Sequence, residues 1–64
     1  MINEQDLAPA LRLIVIDADN KEACYGKCSY KLYTDVATLV VMANGNFYLH
    51  NTAFIKSIRI QPVK

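Results

Sequence analysis

The side chains able to do chemistry are few and scattered. His50 is the single histidine of the chain, and nothing in its sequence neighbourhood supplies the acid or nucleophile that would make it a catalytic base. Asp17 and Asp19 fall on one strand face, but Asn20 beside them reads as a turn, which explains the acids without an acid and base pair. Ser29 and Ser57 have no base at hand. Two glycines in the whole chain cannot build a phosphate loop. Cys24 and Cys28 form the lone C-x3-C of CYGKC, which lacks the further cysteines or histidines of a zinc site. On a strand the two would lie about 13 Å apart, beyond the roughly 7 Å that a disulfide spans between Cα atoms. Free, partly buried thiols are expected. No catalytic group, cofactor or metal is assigned, and the chain reads as a non-enzyme.

Cations interleaved with rings suggest a different chemistry. Lys27, Lys31, Tyr33, Lys56 and Arg59, with Tyr25 among them, are the residue types of a single-strand nucleic-acid platform. An ordinary solvent-facing β-surface also carries alternating tyrosines and lysines, and Asp17, Asp19, Glu22 and Asp35 offset the charge. Seven basic against six acidic residues leave a net charge of +1, too little for a general field toward polyanions.

The element that positions most of these groups is TLVVMANGNFYLHN, Thr38 to Asn51. Asn44-Gly45 is the favoured pair for a two-residue type I′ turn, because both central positions need positive φ. A turn there pairs Ala43 with Asn46, Met42 with Phe47, Val41 with Tyr48, Val40 with Leu49 and Leu39 with His50. Directly paired residues share a face. Val40, Met42, Phe47 and Leu49 make a wholly apolar face, expected to be the core side. Leu39, Val41, Tyr48 and His50 make a mixed one, expected to be a protein interface.

Around this hairpin the chain offers three more strands. At the N-terminus Asn3 can cap a short helix with Glu4 and Asp6 in its first turn, before Pro9 forces Ala8 out of helical space. LRLIVIDA, Leu11 to Ala18, is apolar in both phases, as in a strand covered on both sides, with Leu13 and Val15 inward. Asp19-Asn20-Lys21 turns the chain. A long second strand follows, from about Ala23 to Tyr33, with Gly26 marking a bulge or bend; past it Cys28, Tyr30 and Leu32 are expected inward. Thr34-Asp35 makes a turn, the hairpin gives strands three and four, and Asn51-Thr52-Ala53 breaks the chain. Ile58 and Ile60 alternate with Ser57, Arg59 and Gln61 in a last half-buried strand that Pro62 ends.

Sixty-four residues with 53% apolar content make one domain, 1–64, near the lower limit for independent folding. The opening MINEQD is acidic and polar, unlike a secretory signal, and no apolar run approaches a membrane span; a cytoplasmic, membrane-free protein is expected. The strand order resembles SH3-like small barrels and, with the leading helix, the Sm-like variant. That resemblance implies a mostly β, five-stranded small barrel and RNA or single-stranded DNA binding, although no residue here is assigned to the family's RNA site. The residues themselves favour an interaction module that self-associates and binds a protein partner in a regulatory or accessory role, since apolar side chains on both hairpin faces, with Ile14 and Ile16 if Leu13 and Val15 point inward, exceed what one small interior holds; the N-terminal segment through Ile2 and Leu7, a second copy of the chain or another protein would cover them. On that reading Val41→Asp or Tyr48→Asp would shrink the assembly and leave the fold intact.

Overall fold

The computed structural model describes residues 4–63. Its elements are a 3-10 turn at Glu4–Asp6, β1 (Ala8–Asp17), β2 (Glu22–Tyr33), a 3-10 turn at Thr34–Val36, β3 (Thr38–Ala43), β4 (Asn46–Asn51), a 3-10 turn at Thr52–Phe54 and β5 (Ile55–Pro62). The five strands form one antiparallel sheet in the order β4-β3-β2-β1-β5. The sheet is not closed, so β4 and β5 are its two edges. No helix among the described residues is long and apolar enough to cross a membrane. The expected N-terminal helix amounts to the three residues Glu4–Asp6, and its expected cap, Asn3, lies outside the described residues.

Local chemistry sets the turns. Asn44 (φ 54°) and Gly45 (φ 79°) take the two positive-φ positions of the I′ turn, and all five expected hairpin pairs form, with Thr38 opposite Asn51 besides. Between β1 and β2 the Asp17 carboxylate accepts from the Asp19 and Lys21 amides, both at 2.9 Å, while Asn20 supplies the left-handed residue at φ 65°. The Asn51 side chain accepts from the Ala53 amide at 2.9 Å and starts the turn into β5. β1 begins earlier than expected, at Ala8 rather than Leu11, with Pro9 beyond the point where β5 pairing stops at Ala10–Pro62.

The sheet is folded sharply over itself. Tyr25 lies on β2 seven residues before Leu32, whose rung runs through Leu39 to His50 on β4. In a flat sheet that separation is about 23 Å along the strands and about 10 Å across them. Instead the Tyr25 hydroxyl and His50 Nε2 are 2.6 Å apart. The fold line crosses β1 and β2 on neighbouring rungs. Ala10 and Leu13 on β1, and Tyr25 and Cys28 on β2, all belong to or pack on the core although each pair is three residues apart. An alternating strand can do this only by presenting two consecutive residues to solvent, and Leu11-Arg12 and Gly26-Lys27 are both exposed pairs. On β1 the bulge also appears as a register shift against β5 between Ala10 and Arg12. On β2 the residue with positive φ is Lys27, at 37°, not the glycine before it.

The concave side of this folded sheet is the core: Ala10, Leu13, Val15, Cys28, Leu39, Val41 and Ala43, with Ala23, Tyr25, Tyr30, Ile55 and Ile58 packed against them. Leu13 and Val15 are inward as expected. Val40 is buried as expected, at 2% exposure, but four other residues of the hairpin depart from expectation. Leu39 and Val41 are 1% and 0% exposed in the chain's own interior, whereas Phe47 and Leu49, expected in the core, are 45% and 62% exposed. The reason is the fold line: bending β2 swings its first half over Leu39 and Val41, and leaves the other face convex. Leu32, expected inward, lies at the open end of the concavity and is exposed, as is Ile60 on the β5 edge.

Candidate functional site

Three groupings remain once the core is accounted for. The first is the clasp that holds the folded sheet. Tyr25 comes from the first half of β2, and Tyr48 and His50 are the inward residues of β4. Besides the Tyr25–His50 hydrogen bond, the Tyr25 ring lies 5.0 Å from that of Tyr48, tilted at 45°, and meets the His50 ring edge-on at 5.8 Å. Burial, then the neighbouring Tyr48 and Cys28, pushes the Tyr25 hydroxyl above its ordinary pKa of 10.0, because the phenolate would lose its hydration. The hydrogen bond of this pair joins the Tyr25 hydroxyl and His50 Nε2 to each other, and no group of three metal-ligating side chains occurs among the described residues. The clasp ties the first half of β2 to β4. Of the four expected interface residues, then, Leu39 and Val41 are core, Tyr48 and His50 are clasp, and only the last two reach solvent.

The second grouping is the convex face of the hairpin. Phe47 and Leu49 stand on β4, paired with Met42 and Val40 on β3. Val40 is nonetheless only 2% exposed; its directly paired neighbours on this face are Leu49 on one side and Lys31 on the other, and the aliphatic stem of a lysine covers apolar surface well. β4 has no buried residue at all. In a hairpin closed by a two-residue turn the hydrogen-bonded pairs alternate starting from Ala43–Asn46, so the backbone groups of Phe47, Leu49 and Asn51 are those that point away from β3. They form an unpaired edge beside two exposed apolar side chains.

The third grouping is cationic. The five residues expected to contact nucleic acid are not brought together. Lys31 and Tyr33 share the convex face of β2, with the ammonium 5.2 Å from the ring centre. Lys27 sits on the bulge, and Lys56 is bonded through its ammonium to the Asn20 side-chain oxygen at 2.8 Å. Arg59 lies across the sheet on β5, where it lines a hollow with Arg12, Ile14, Ile60 and Gln61. Cys24 and Cys28 are both free, the first exposed and the second buried. They project from opposite faces of β2, since Cys24 pairs with Ile14 on the convex side and Cys28 with Ala10 on the concave one. Burial first, and Cys24 second, pushes the Cys28 thiol above its ordinary 9.0.

Phe47 and Leu49 escaped the sequence reading as surface residues because a fully apolar face looks like a core. Arg12 escaped because it interrupts an otherwise apolar run; a lone cation inside LRLIVI was the available signal. No family model matches the chain, and no curated protein or solved structure matches it either.

Proposed function

We propose that the chain is a non-enzymatic interaction module on an SH3-like barrel plan left open at one side, and that it self-associates through β4 as a basis for engaging a protein partner. One observation carries this reading: β4 is a sheet edge with no buried residue, presenting Phe47 and Leu49 at 45% and 62% exposure. An edge that is both unpaired and apolar is a template for another strand. Two copies meeting antiparallel about Leu49 would exchange hydrogen bonds between Leu49 and Leu49 and between Phe47 and Asn51, with Phe47 and Leu49 of both copies on the convex face. Such a contact is isologous and closes as a dimer. It also explains how a chain this small gains the burial its own interior cannot supply.

The test is the assembly size of wild type and Leu49→Asp by size-exclusion chromatography with light scattering. The expected result is a dimeric wild type and a folded, monomeric Leu49→Asp, because the substituted side chain is exposed in the single chain and crowded only in the pair. A wild type that elutes as a monomer throughout the micromolar range would remove the proposal.

A further inference from the structure

On the opposite lobe from β4, the convex face of β1 and β5 carries an arrangement that the fold does not need. Arg12 pairs with Gln61, and the next rung on that face pairs Ile14 with Arg59. The two arginines are therefore diagonal neighbours on adjacent strands, within reach of each other's side chains. Between them lies an open hollow of about 200 Å³ lined by Arg12, Ile14, Arg59, Ile60 and Gln61. Neither guanidinium has a hydrogen bond or an ion pair among the described residues. The acids lie elsewhere: Asp17 is turned into its own loop, accepting from the Asp19 and Lys21 amides, and Glu22 pairs with Ile16, two rungs further along β1 than Arg12. Like charges set side by side on a sheet repel. The third neighbour of Arg12 is Gly26, where even a Cβ would have nothing within 4 Å, so the hollow is open toward β2 as well.

We infer that this hollow is an anion site that takes a phosphate group between the Arg12 and Arg59 guanidinium groups, with the Gln61 amide as a further donor. The chemistry is the reason for choosing phosphate. Two planar forks carried on adjacent strands offer several N–H donors to the oxygens of one tetrahedral anion, and the apolar Ile14 side chain, paired with Arg59 on that face, lowers the local dielectric, which strengthens the attraction. A bound anion would also relieve the repulsion between the two cations. Two sources deliver such a group, a small phosphorylated molecule or the backbone of a single-stranded nucleic acid, and the same donors would serve both.

Inorganic phosphate is the first probe, titrated into the 15N-labelled full chain at constant ionic strength while amide and arginine side-chain N–H shifts are followed. Saturable shifts confined to Arg12, Gly26, Arg59 and Gln61 are expected. Arg12→Gln should weaken the midpoint on the order of tenfold, and Arg12→Gln with Arg59→Gln should abolish saturation, while Lys21→Gln leaves it unchanged. Both arginines are exposed, so these variants keep the fold, which the rest of the spectrum verifies. A second titration uses a short oligothymidylate without terminal phosphates. The same amides shifting at lower strand concentration, with an affinity that falls as salt rises, identifies a nucleic-acid backbone as the source; a response to inorganic phosphate alone identifies a small phosphorylated molecule. Shifts that stay linear in wild type, or that persist in the double variant, overturn the site. Leu49→Asp should bind phosphate as wild type does, so loss of self-association and loss of anion binding are read separately.

Discussion

β3 and β4 are the two arms of one hairpin, six residues each and paired rung for rung, yet they live in different solvents. Four residues of β3 are buried, Leu39, Val40, Val41 and Ala43, and none of β4 is. Composition separates them only in part: β3 (TLVVMA) is apolar at every position but Thr38, and β4 (NFYLHN) still carries Phe47, Tyr48 and Leu49 in its middle. Position in the sheet does. β3 has a strand on each side and the folded half of β2 above it, whereas β4 has a neighbour on one side only. A residue's pairing partner therefore says which face it shares, and the sheet order says whether that face is covered.

The hardest test of this contrast places the same charge on both arms. Val41 is completely buried, so Val41→Asp must bring an unpaired carboxylate into the core, at a cost that exceeds the roughly 3 to 5 kcal/mol a core of this size supplies. Far-UV circular dichroism and urea titration are expected to show an unfolded chain. This reverses the sequence expectation of a folded variant with a smaller assembly, an outcome that now belongs to Leu49→Asp. A cooperatively folded Val41→Asp would mean that the concave face is not the interior.

Register was fully legible from Asn44-Gly45, because a two-residue I′ turn leaves no freedom in pairing. Facing was not. Both sides of the hairpin carry apolar residues, and binary pattern then favours the purer set, Val40, Met42, Phe47 and Leu49, of which the fold buries Val40 and leaves Phe47 and Leu49 bare. The decision rests on the bend, and the bend was half visible: Gly26 flagged it on β2, but its counterpart at Leu11-Arg12 shows only as one cation in an otherwise apolar run. The clasp was invisible for the same reason, since Tyr25 and His50 are 25 residues apart and meet only after the sheet has folded. The scatter of Lys27, Lys31, Tyr33, Lys56 and Arg59 follows as well, because residues close in sequence are separated by a fold line.

A smaller effect is expected where Tyr25 ties β4 to the other lobe. Tyr25→Phe keeps the ring against Tyr48 and removes the hydroxyl that bonds His50, so it should cost about 1 kcal/mol at neutral pH. The same variant has a signature in alkali. Burial raises the Tyr25 pKa above 10.0 in the folded chain, so the folded state holds that proton more tightly than the unfolded one. The contribution is whole below pH 10.0 and fades as pH rises through the folded value. Cys28 behaves alike above 9.0. Urea midpoints should thus fall on the alkaline side in wild type and fall less steeply in Tyr25→Phe; equal slopes would show that the clasp is not buried in solution.

The smallest expected change concerns the hinge between the two lobes, where β3 and β4 acquire their unequal cover. Lys27 holds φ at 37°, a conformation that costs an L-residue about 1 to 2 kcal/mol, and its neighbour Gly26 needs no such freedom. Lys27→Gly removes that strain but admits more unfolded-state entropy, about 0.5 to 1 kcal/mol, so the net expectation is a gain of about 0.5 kcal/mol in urea unfolding. Gly26→Ala, whose new Cβ meets nothing within 4 Å, should add a few tenths through the unfolded chain. If Lys27→Gly instead loosens the protein, the bend is held by the lysine side chain and not by the backbone. The buried and bare arms of the hairpin would then owe their difference to a surface contact, and Lys27→Ala would lose stability as well.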